Sequence, residues 1–125
     1  MMFNAANAIN NRGQVVGQSD VPGDTFTHAF FWQNGVMTDL GTLPGDANSI
    51  ATDINDQGEV VGVSCDATST ICRAFLWENG VMTDLNALIP SDSPLFLTYG
   101  AGINDRGEIA GTGLPGASRS CLDNA

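Results

Sequence analysis

His28 is the side chain best suited to acid–base chemistry in this 125-residue sequence, because it is the only histidine and its ordinary pKa lies near neutrality. It could act as the general base of a hydrolytic site. A Ser–His–Asp arrangement could include Ser19, although the sequence has no Gly-x-Ser-x-Gly motif and no cysteine with a second histidine. The alternative role is structural, with His28 hydrogen-bonding neighbouring strands. We take His28 as the candidate catalytic residue and keep both roles open.

Side-chain oxygens form the second candidate site, because hard oxygen ligands are those that Ca²⁺ prefers. Five such side chains fall within fourteen residues, namely Asp46, Asp53, Asn55, Asp56 and Glu59. A second cluster, Asp20 and Asp24, lies in the segment DVPGD. The segment DINDQGE partly resembles a calcium loop, but it is shorter than the twelve-residue EF-hand loop. The sequence therefore predicts Ca²⁺ as the cofactor, while Asp and Asn at these positions also suit turns, where their side chains bond nearby backbone amides.

An internal repeat positions these residues. The segment HAFFWQNGVMTDLGTL at His28–Leu43 returns as RAFLWENGVMTDLNAL at Arg73–Leu88, 45 residues later, with eleven of sixteen positions identical. Each copy places Asn-Gly between two apolar runs, and Asn-Gly favours the positive φ angles of a type I′ turn. The sequence thus predicts two tight hairpins, which pair Ala29–Trp32 with Val36–Leu40 and Ala74–Trp77 with Val81–Leu85.

A second motif recurs three times, as AINNRGQVVGQS at Ala8–Ser19, DINDQGEVVGVS at Asp53–Ser64 and GINDRGEIAGTG at Gly102–Gly113. Asn-x-x-Gly between apolar residues fits a type I turn followed by a left-handed glycine. These glycines are Gly13, Gly58 and Gly107. A further glycine inside each following strand indicates close backbone approach or a strand packed on both sides, at Gly17, Gly62 and Gly111.

Two hairpins in about 45 residues match one blade of a β-propeller. We predict an all-β fold of four-stranded antiparallel blades, with an incomplete ring in one chain. The chain is a single domain, with repeat 1 at about 5–49, repeat 2 at about 50–98, a half-repeat at 99–113 and a C-terminal tail at 114–125. The only candidate helical segment is Leu85–Leu97. Five hairpins make two and a half blades, fewer than the four that a ring usually needs, so we expect the chain to form a homo-oligomer.

The period resembles the HAF repeat family of probable extracellular repeats. The resemblance rests on Ile-Asn-x-x-Gly-x-Val-Val-Gly and on His-Ala-Phe-x-Trp-x-x-Gly-x-Met-x-Asp-Leu-Gly-x-Leu at 28–43, and it covers the chain to about Gly113. Repeat 2 departs from it at Arg73 and Asn86. The resemblance implies a β-rich repeat fold and an extracellular or cell-envelope location, and it does not imply one activity.

Two functional hypotheses follow, of which the first is the leading one and the second the alternative. The first is a calcium-dependent hydrolase of small lactones of the acyl-homoserine-lactone type, which the resemblance suggests, with Ca²⁺ polarising the carbonyl and His28 or a carboxylate activating water. The second is a non-catalytic extracellular repeat module that binds a partner or builds a surface assembly. Acidic side chains that converge on one cation would favour the enzyme, whereas acidic side chains scattered over the turns would favour the module.

Cys65 and Cys72 flank the loop DATSTI, and adjacent strands joined by such a loop could bring their sulfur atoms within bonding distance. The extracellular location that the resemblance implies favours a disulfide, and two free thiols in an intracellular fragment are the alternative. We expect Cys121, in the tail, to be free. Trp32 and Trp77 occupy equivalent repeat positions and are either core anchors or a platform for stacking sugars.

Charge and hydropathy exclude several function classes. The net charge is −10, with four arginines and no lysine, and such a surface repels nucleic-acid phosphates. No apolar run is long enough to span a membrane. The N-terminus MMFNAANAIN lacks the pattern of a signal peptide, so we expect that a signal was removed or that the chain is a piece of a longer protein.

Overall fold

Antiparallel strands make up nearly all of the regular secondary structure in the computed structural model, which describes residues 4–21, 23, 25–89, 96–114 and 120–122. The first sheet contains, in spatial order, β1 (Asn4–Ile9), β2 (Val15–Asp20), β3 (Thr27–Gln33) and β4 (Val36–Gly41). The second sheet repeats this order with β5 (Asn48–Ile54), β6 (Val60–Cys65), β7 (Cys72–Glu78) and β8 (Val81–Asp84). The third sheet contains β9 (Phe96–Ile103), β10 (Ile109–Leu114) and β11 (Ser120–Leu122), with β10 in the middle. The predicted all-β fold of four-stranded antiparallel blades in an incomplete ring is confirmed.

The turns have the backbone that their sequences predict. Asn34 and Gly35 have φ angles of 54° and 82°, and Asn79 and Gly80 have 52° and 83°, as a type I′ hairpin requires. The glycine of the first Ile-Asn turn, Gly13, has φ 75°. Because these turns fix the strand register, equivalent residues of the two repeats occupy equivalent places in their sheets.

A one-residue bulge recurs in the first strand of each sheet. The pairing register shifts between Ala6 and Ala8 in β1, and between Ala51 and Asp53 in β5. The glycine opposite each bulge faces the partner backbone so closely that a Cβ atom at Gly62 would overlap the carbonyl oxygen of Ile50. The close backbone approach predicted for this glycine is therefore observed, and it results from the bulge.

The three sheets stack face to face. Adjacent residues of a strand point to opposite faces, and both faces of the second sheet are buried. Val60 and Phe75 share a hydrophobic cluster with Val16 of the first sheet, whereas Val61 shares a second cluster with Leu97 of the third sheet. The second sheet therefore lies between the other two, as one blade lies between its neighbours in a propeller.

A short 3₁₀ helix, Leu85–Leu88, follows β8 and lies within the segment predicted to be helical. Asp84 caps this helix by accepting a hydrogen bond from the Asn86 backbone N–H at 2.9 Å. The Asn86 amide also bonds both backbone groups of Leu97, at 2.9 Å and 2.6 Å. The departure from the repeat pattern at Asn86 thus anchors the start of the third sheet. None of the helical segments in the described part of the chain has the length and apolar character needed to cross a lipid bilayer.

The third repeat extends beyond the predicted half-repeat. Strand β11 lies in the segment predicted as a C-terminal tail, and it pairs antiparallel with β10 from Ile109–Leu122 to Gly111–Ser120. The tail sequence carries no copy of the Ala-Phe-x-Trp motif. The strand therefore had no motif by which it could be predicted.

Candidate functional site

His28 lies in a pocket on the first sheet. The β2–β3 register places it directly opposite Ser19. Its Nδ1 atom is 3.0 Å from both carboxylate oxygens of Asp39 on β4. The pocket has a volume of about 220 Å³, and its lining includes these three residues together with Phe30 and Met37. The structure thus brings together a histidine, a carboxylate and a hydroxyl at one opening of the protein surface.

The equivalent residue in the second sheet is Arg73, and the loop between β4 and β5 lies against it. Arg73 pairs with Asp84 at 3.3 Å, as His28 pairs with Asp39 one repeat earlier. It also reaches the loop between β4 and β5, where it contacts the Asp46 carboxylate at 3.1 Å and the Pro44 carbonyl at 3.0 Å. The pairing of residue 28 or 73 with the aspartate of the fourth strand is therefore a feature of the repeat, which favours a structural role for that pair.

The predicted calcium ligand Asn55 connects two sheets. Only 3 % of its surface is exposed. Its Oδ1 atom accepts hydrogen bonds from the backbone N–H groups of Gln57 and Glu59, at 3.1 Å and 2.9 Å, which closes its own turn. Its Nδ2 atom donates to Glu59 Oε1 at 2.6 Å and to the Asn104 carbonyl of the third sheet at 3.0 Å. The equivalent Asn10 donates in the same way to the Asn55 carbonyl at 2.9 Å, so the bond recurs at both sheet interfaces.

Asp56 makes a second recurring bond beside the first. Its carboxylate accepts from the Asn11 backbone N–H and from Asn11 Nδ2, both at 2.8 Å. The Asp56 backbone N–H in turn donates to the Asp105 carboxylate at 2.8 Å. The hydrogen bonds from Asn11 are the main reason that the pKa of Asp56 lies below its ordinary value. Each turn aspartate thus holds the turn of the sheet before it.

The remaining predicted calcium ligands lie apart and have protein partners. Asp53 accepts from the backbone N–H groups of Ile54 and Ile103, both at 2.9 Å. Asp46 binds Arg73 and accepts from the Ser64 hydroxyl at 2.6 Å. Among the described residues, no three His, Cys, Asp or Glu side chains are grouped so that they could hold one metal ion. The geometry therefore gives no assembled ligand set there, and the calcium site stays a prediction.

The second predicted cluster is only partly described. Asp20 lines the His28 pocket and accepts a hydrogen bond from the Thr27 hydroxyl at 3.2 Å. Asp24 lies outside the described residues. The geometry of a pair formed by these two carboxylates is therefore not described.

Two carboxylates of the second sheet replace an amide pair of the first. Gln14 donates to Gln33 at 3.3 Å in the first sheet, and Glu59 and Glu78 occupy the equivalent positions of the second. A hydrogen bond with Glu59, followed by burial and by the charge of Glu59, raises the pKa of Glu78 above its ordinary value. Glu78 therefore binds a proton more readily than an isolated glutamate does.

The two cysteines of the second sheet are bonded to each other. Cys65 and Cys72 are directly paired across β6 and β7 and form a disulfide with an S–S distance of 2.08 Å. The neighbouring Asp66 caps the connecting loop by accepting from the Thr70 backbone N–H at 2.8 Å. That bond is the main cause of the lowered pKa of Asp66. The side chain of Cys121 lies outside the described part of the chain.

Trp77, one of the two tryptophans at equivalent repeat positions, contributes to sheet packing. Trp77 packs against the cluster between the first two sheets, and its ring centroid is 5.5 Å from that of Phe31. This contact matches the core-anchor interpretation of Trp77.

Sequence reasoning missed the partners that span two sheets. Ser64 is fully buried and holds the β4–β5 loop by accepting from the Leu43 backbone N–H at 3.0 Å. Asn7, the bulge residue of β1, donates to the Ala51 carbonyl of the second sheet at 2.9 Å. The available signal was the recurrence of polar residues at the repeat spacing, which marks equivalent positions but not what lies opposite them. Comparisons of the chain with protein-family models, with curated proteins and with solved structures gave no match.

Proposed function

We propose that this chain is a non-catalytic β-repeat module, in which successive blades stack and present surfaces for binding or assembly. One observation carries the proposal: the recurring Asn and Asp side chains bond the neighbouring sheet. Asn10 and Asn55 donate to the next sheet in the same way, and Asp56 and Asp105 accept from the preceding one. Asn55 and Asp56 are two of the predicted calcium ligands, and the fold already uses both as connectors between blades.

The outer face of the first sheet supports assembly with further β-repeats, including other copies of this chain. Ile54 and Ile103 face the sheet before them and are 5 % and 8 % exposed. The equivalent Ile9 is 68 % exposed, and Met37 on the same face is 47 % exposed. An apolar face that is buried at two equivalent interfaces and exposed at a third is suited to bind another repeat.

The proposed location is extracellular or in the cell envelope. The disulfide between Cys65 and Cys72 supports an oxidising compartment, because such bonds persist mainly outside the cytosol. The resemblance to the HAF repeat family points to the same location.

The experiment that tests the module is a search for turnover. Purified chain is incubated with an acyl-homoserine lactone in calcium and in EDTA, and ring opening is followed by proton release. We expect no turnover above the uncatalysed rate and no effect of calcium on the melting temperature. Calcium-dependent ring opening that is lost in the variant His28→Ala would overturn the non-catalytic proposal.

A second candidate function, calcium-dependent hydrolysis of small lactones, has one observation in its favour. His28 is oriented by Asp39 at 3.0 Å and shares a pocket of about 220 Å³ with Ser19 and Asp20. In that hypothesis His28 would accept the proton of an attacking water, and the Asp20 carboxylate would contribute to holding a cation that polarises the lactone carbonyl. The lactone assay distinguishes the two candidates, because Asp39→Asn would weaken turnover in the enzyme and would change no activity in the module.

A further inference from the structure

The second sheet contains a socket that is occupied by the chain itself. Ser64 accepts from the Leu43 backbone N–H at 3.0 Å and donates to the Asp46 carboxylate at 2.6 Å. Arg73 donates to the Pro44 carbonyl at 3.0 Å and pairs with Asp46 at 3.1 Å. Leu43 is 2 % exposed and belongs to the same buried cluster as Phe75. One Leu-Pro-Gly-Asp segment is therefore held through a backbone N–H, a backbone carbonyl, a carboxylate and an apolar side chain.

The first sheet presents the same socket as an open pocket. The sequence repeat makes Ser19 equivalent to Ser64, His28 to Arg73 and Phe30 to Phe75. The three residues of the first sheet lie together in the lining of the pocket of about 220 Å³. The pocket thus offers a hydroxyl, an imidazole and an aromatic wall where the second sheet holds its Leu-Pro-Gly-Asp segment.

We propose that the His28 pocket binds a Leu-Pro-Gly-Asp-type segment presented by a further repeat of this kind. Ser19 accepts the backbone N–H of the leucine, and the leucine side chain enters beside Phe30. The His28 ring, with both nitrogens protonated, donates one N–H to Asp39 and the other to the carboxylate or to a carbonyl of the segment. Asp39 holds the imidazole, as Asp84 holds Arg73. The inference rests on the proposed module function, because it names the element by which one stacked repeat recognises the next.

The test is a titration of the full chain with a synthetic peptide that copies residues 41–48, Gly-Thr-Leu-Pro-Gly-Asp-Ala-Asn, followed by NMR chemical shifts. We expect saturable shifts at Ser19 and His28. Ser19→Ala removes one hydrogen bond and weakens binding about tenfold, whereas His28→Arg recreates the second-sheet socket and tightens binding about tenfold. Thr68→Ala removes an exposed hydroxyl from the loop between β6 and β7, outside the pocket lining, and is the matched control, for which we expect unchanged affinity.

The peptide offers a second set of variants. Replacing its Asp with Asn or its Leu with Ala weakens binding to the wild-type chain about tenfold each, because each change removes one of the contacts seen in the second sheet. The proposal is overturned if the peptide, at millimolar concentration, causes no saturable chemical-shift change in either the wild-type chain or the His28→Arg variant. It is equally overturned by binding that neither Ser19→Ala nor the Asp-to-Asn peptide weakens. If the inter-sheet Asn and Asp side chains stabilise the fold but the peptide does not bind, the peptide-binding proposal fails and the module proposal stands.

Discussion

Replacement of Asn55 separates its role as an inter-sheet connector from its predicted role as a calcium ligand. The alanine variant loses four hydrogen bonds, two within its own turn, one to Glu59 Oε1 and one to the Asn104 carbonyl. A net value of about 0.5–1.5 kcal/mol per bond gives a loss of roughly 2–6 kcal/mol. For a chain of this size, that corresponds to a fall of about 8–24 °C in melting temperature.

The equivalent residue of the third sheet provides the matched control. Asn104 makes the same turn bonds, to the Arg106 and Glu108 N–H groups at 3.0 Å and to Glu108 Oε1 at 2.7 Å, but it is exposed. Because water can replace exposed bonds, we expect Asn104→Ala to cost less than about 1 kcal/mol. The difference between the two variants in urea denaturation measures the buried inter-sheet connection.

The conservative variant Asn55→Asp decides between connector and ligand. As a connector, the new carboxylate would face the Asn104 carbonyl and Glu59, so it should destabilise the fold about as strongly as alanine does. As a calcium ligand, an aspartate would serve at least as well as asparagine, and the melting temperature would rise with added calcium. If Asn55→Ala and Asn104→Ala are equally stable, or if calcium raises the melting temperature of Asn55→Asp, the connector role of Asn55 is refuted.

Three further predictions concern the second sheet. Gly62→Ala should cost about 1–3 kcal/mol in urea denaturation, because its Cβ overlaps the carbonyl of Ile50, and a variant as stable as the wild type would show that the bulge can open at no cost. Glu78→Gln should stabilise the protein by roughly 0.5 kcal/mol at pH 7. The pKa of Glu78 is raised in the folded state, so the stability that protonated Glu78 contributes to the wild type is present at low pH and is lost as pH rises above 4.5. The stability advantage of the glutamine variant should therefore grow from pH 4 to pH 7 in thermal melts. A difference in melting temperature that stays constant with pH would contradict the shared proton with Glu59. Cys72→Ser should lose about 2–3 kcal/mol under oxidising conditions and should match the wild type in reductant.

The hairpins and their turns followed from local chemistry. Asn34-Gly35 and Asn79-Gly80 adopt the positive φ angles that few other residue pairs accept, so short segments were enough to predict them. The bulge at Asn7 has no comparable local signal, because one unpaired residue in so short a strand leaves the composition unchanged and no clear apolar pattern interrupted. Strand β11 carries no copy of the repeat motif, and its pairing depends on β10.

The candidate site was harder to predict because its chemistry depends on stacking. The sequence identified Asn55 and Asp56 as oxygen-bearing residues of a turn. The ligand interpretation and the turn interpretation both rested on that turn alone and included no partner from another sheet. Their bonds to Asn104 and Asn11 connect residues 49 and 45 positions apart. Such partners are fixed by the way in which one sheet lies on the next, and the periodicity of a single repeat contains no information about that contact.

The exchange of His28 for Arg73 constrains what this position can do. The guanidinium group of arginine does not serve as a general base near neutral pH. Arg73 nevertheless keeps the pairing with the aspartate of the fourth strand. The property that both repeats share is donation of a hydrogen bond, to Asp84 and the Leu-Pro-Gly-Asp loop in one sheet and to Asp39 in the other. Catalysis at His28 would therefore be a new use of a structural position in one repeat. His28→Arg separates the two uses with one variant, because it would abolish a general base and would improve the binding of a Leu-Pro-Gly-Asp segment.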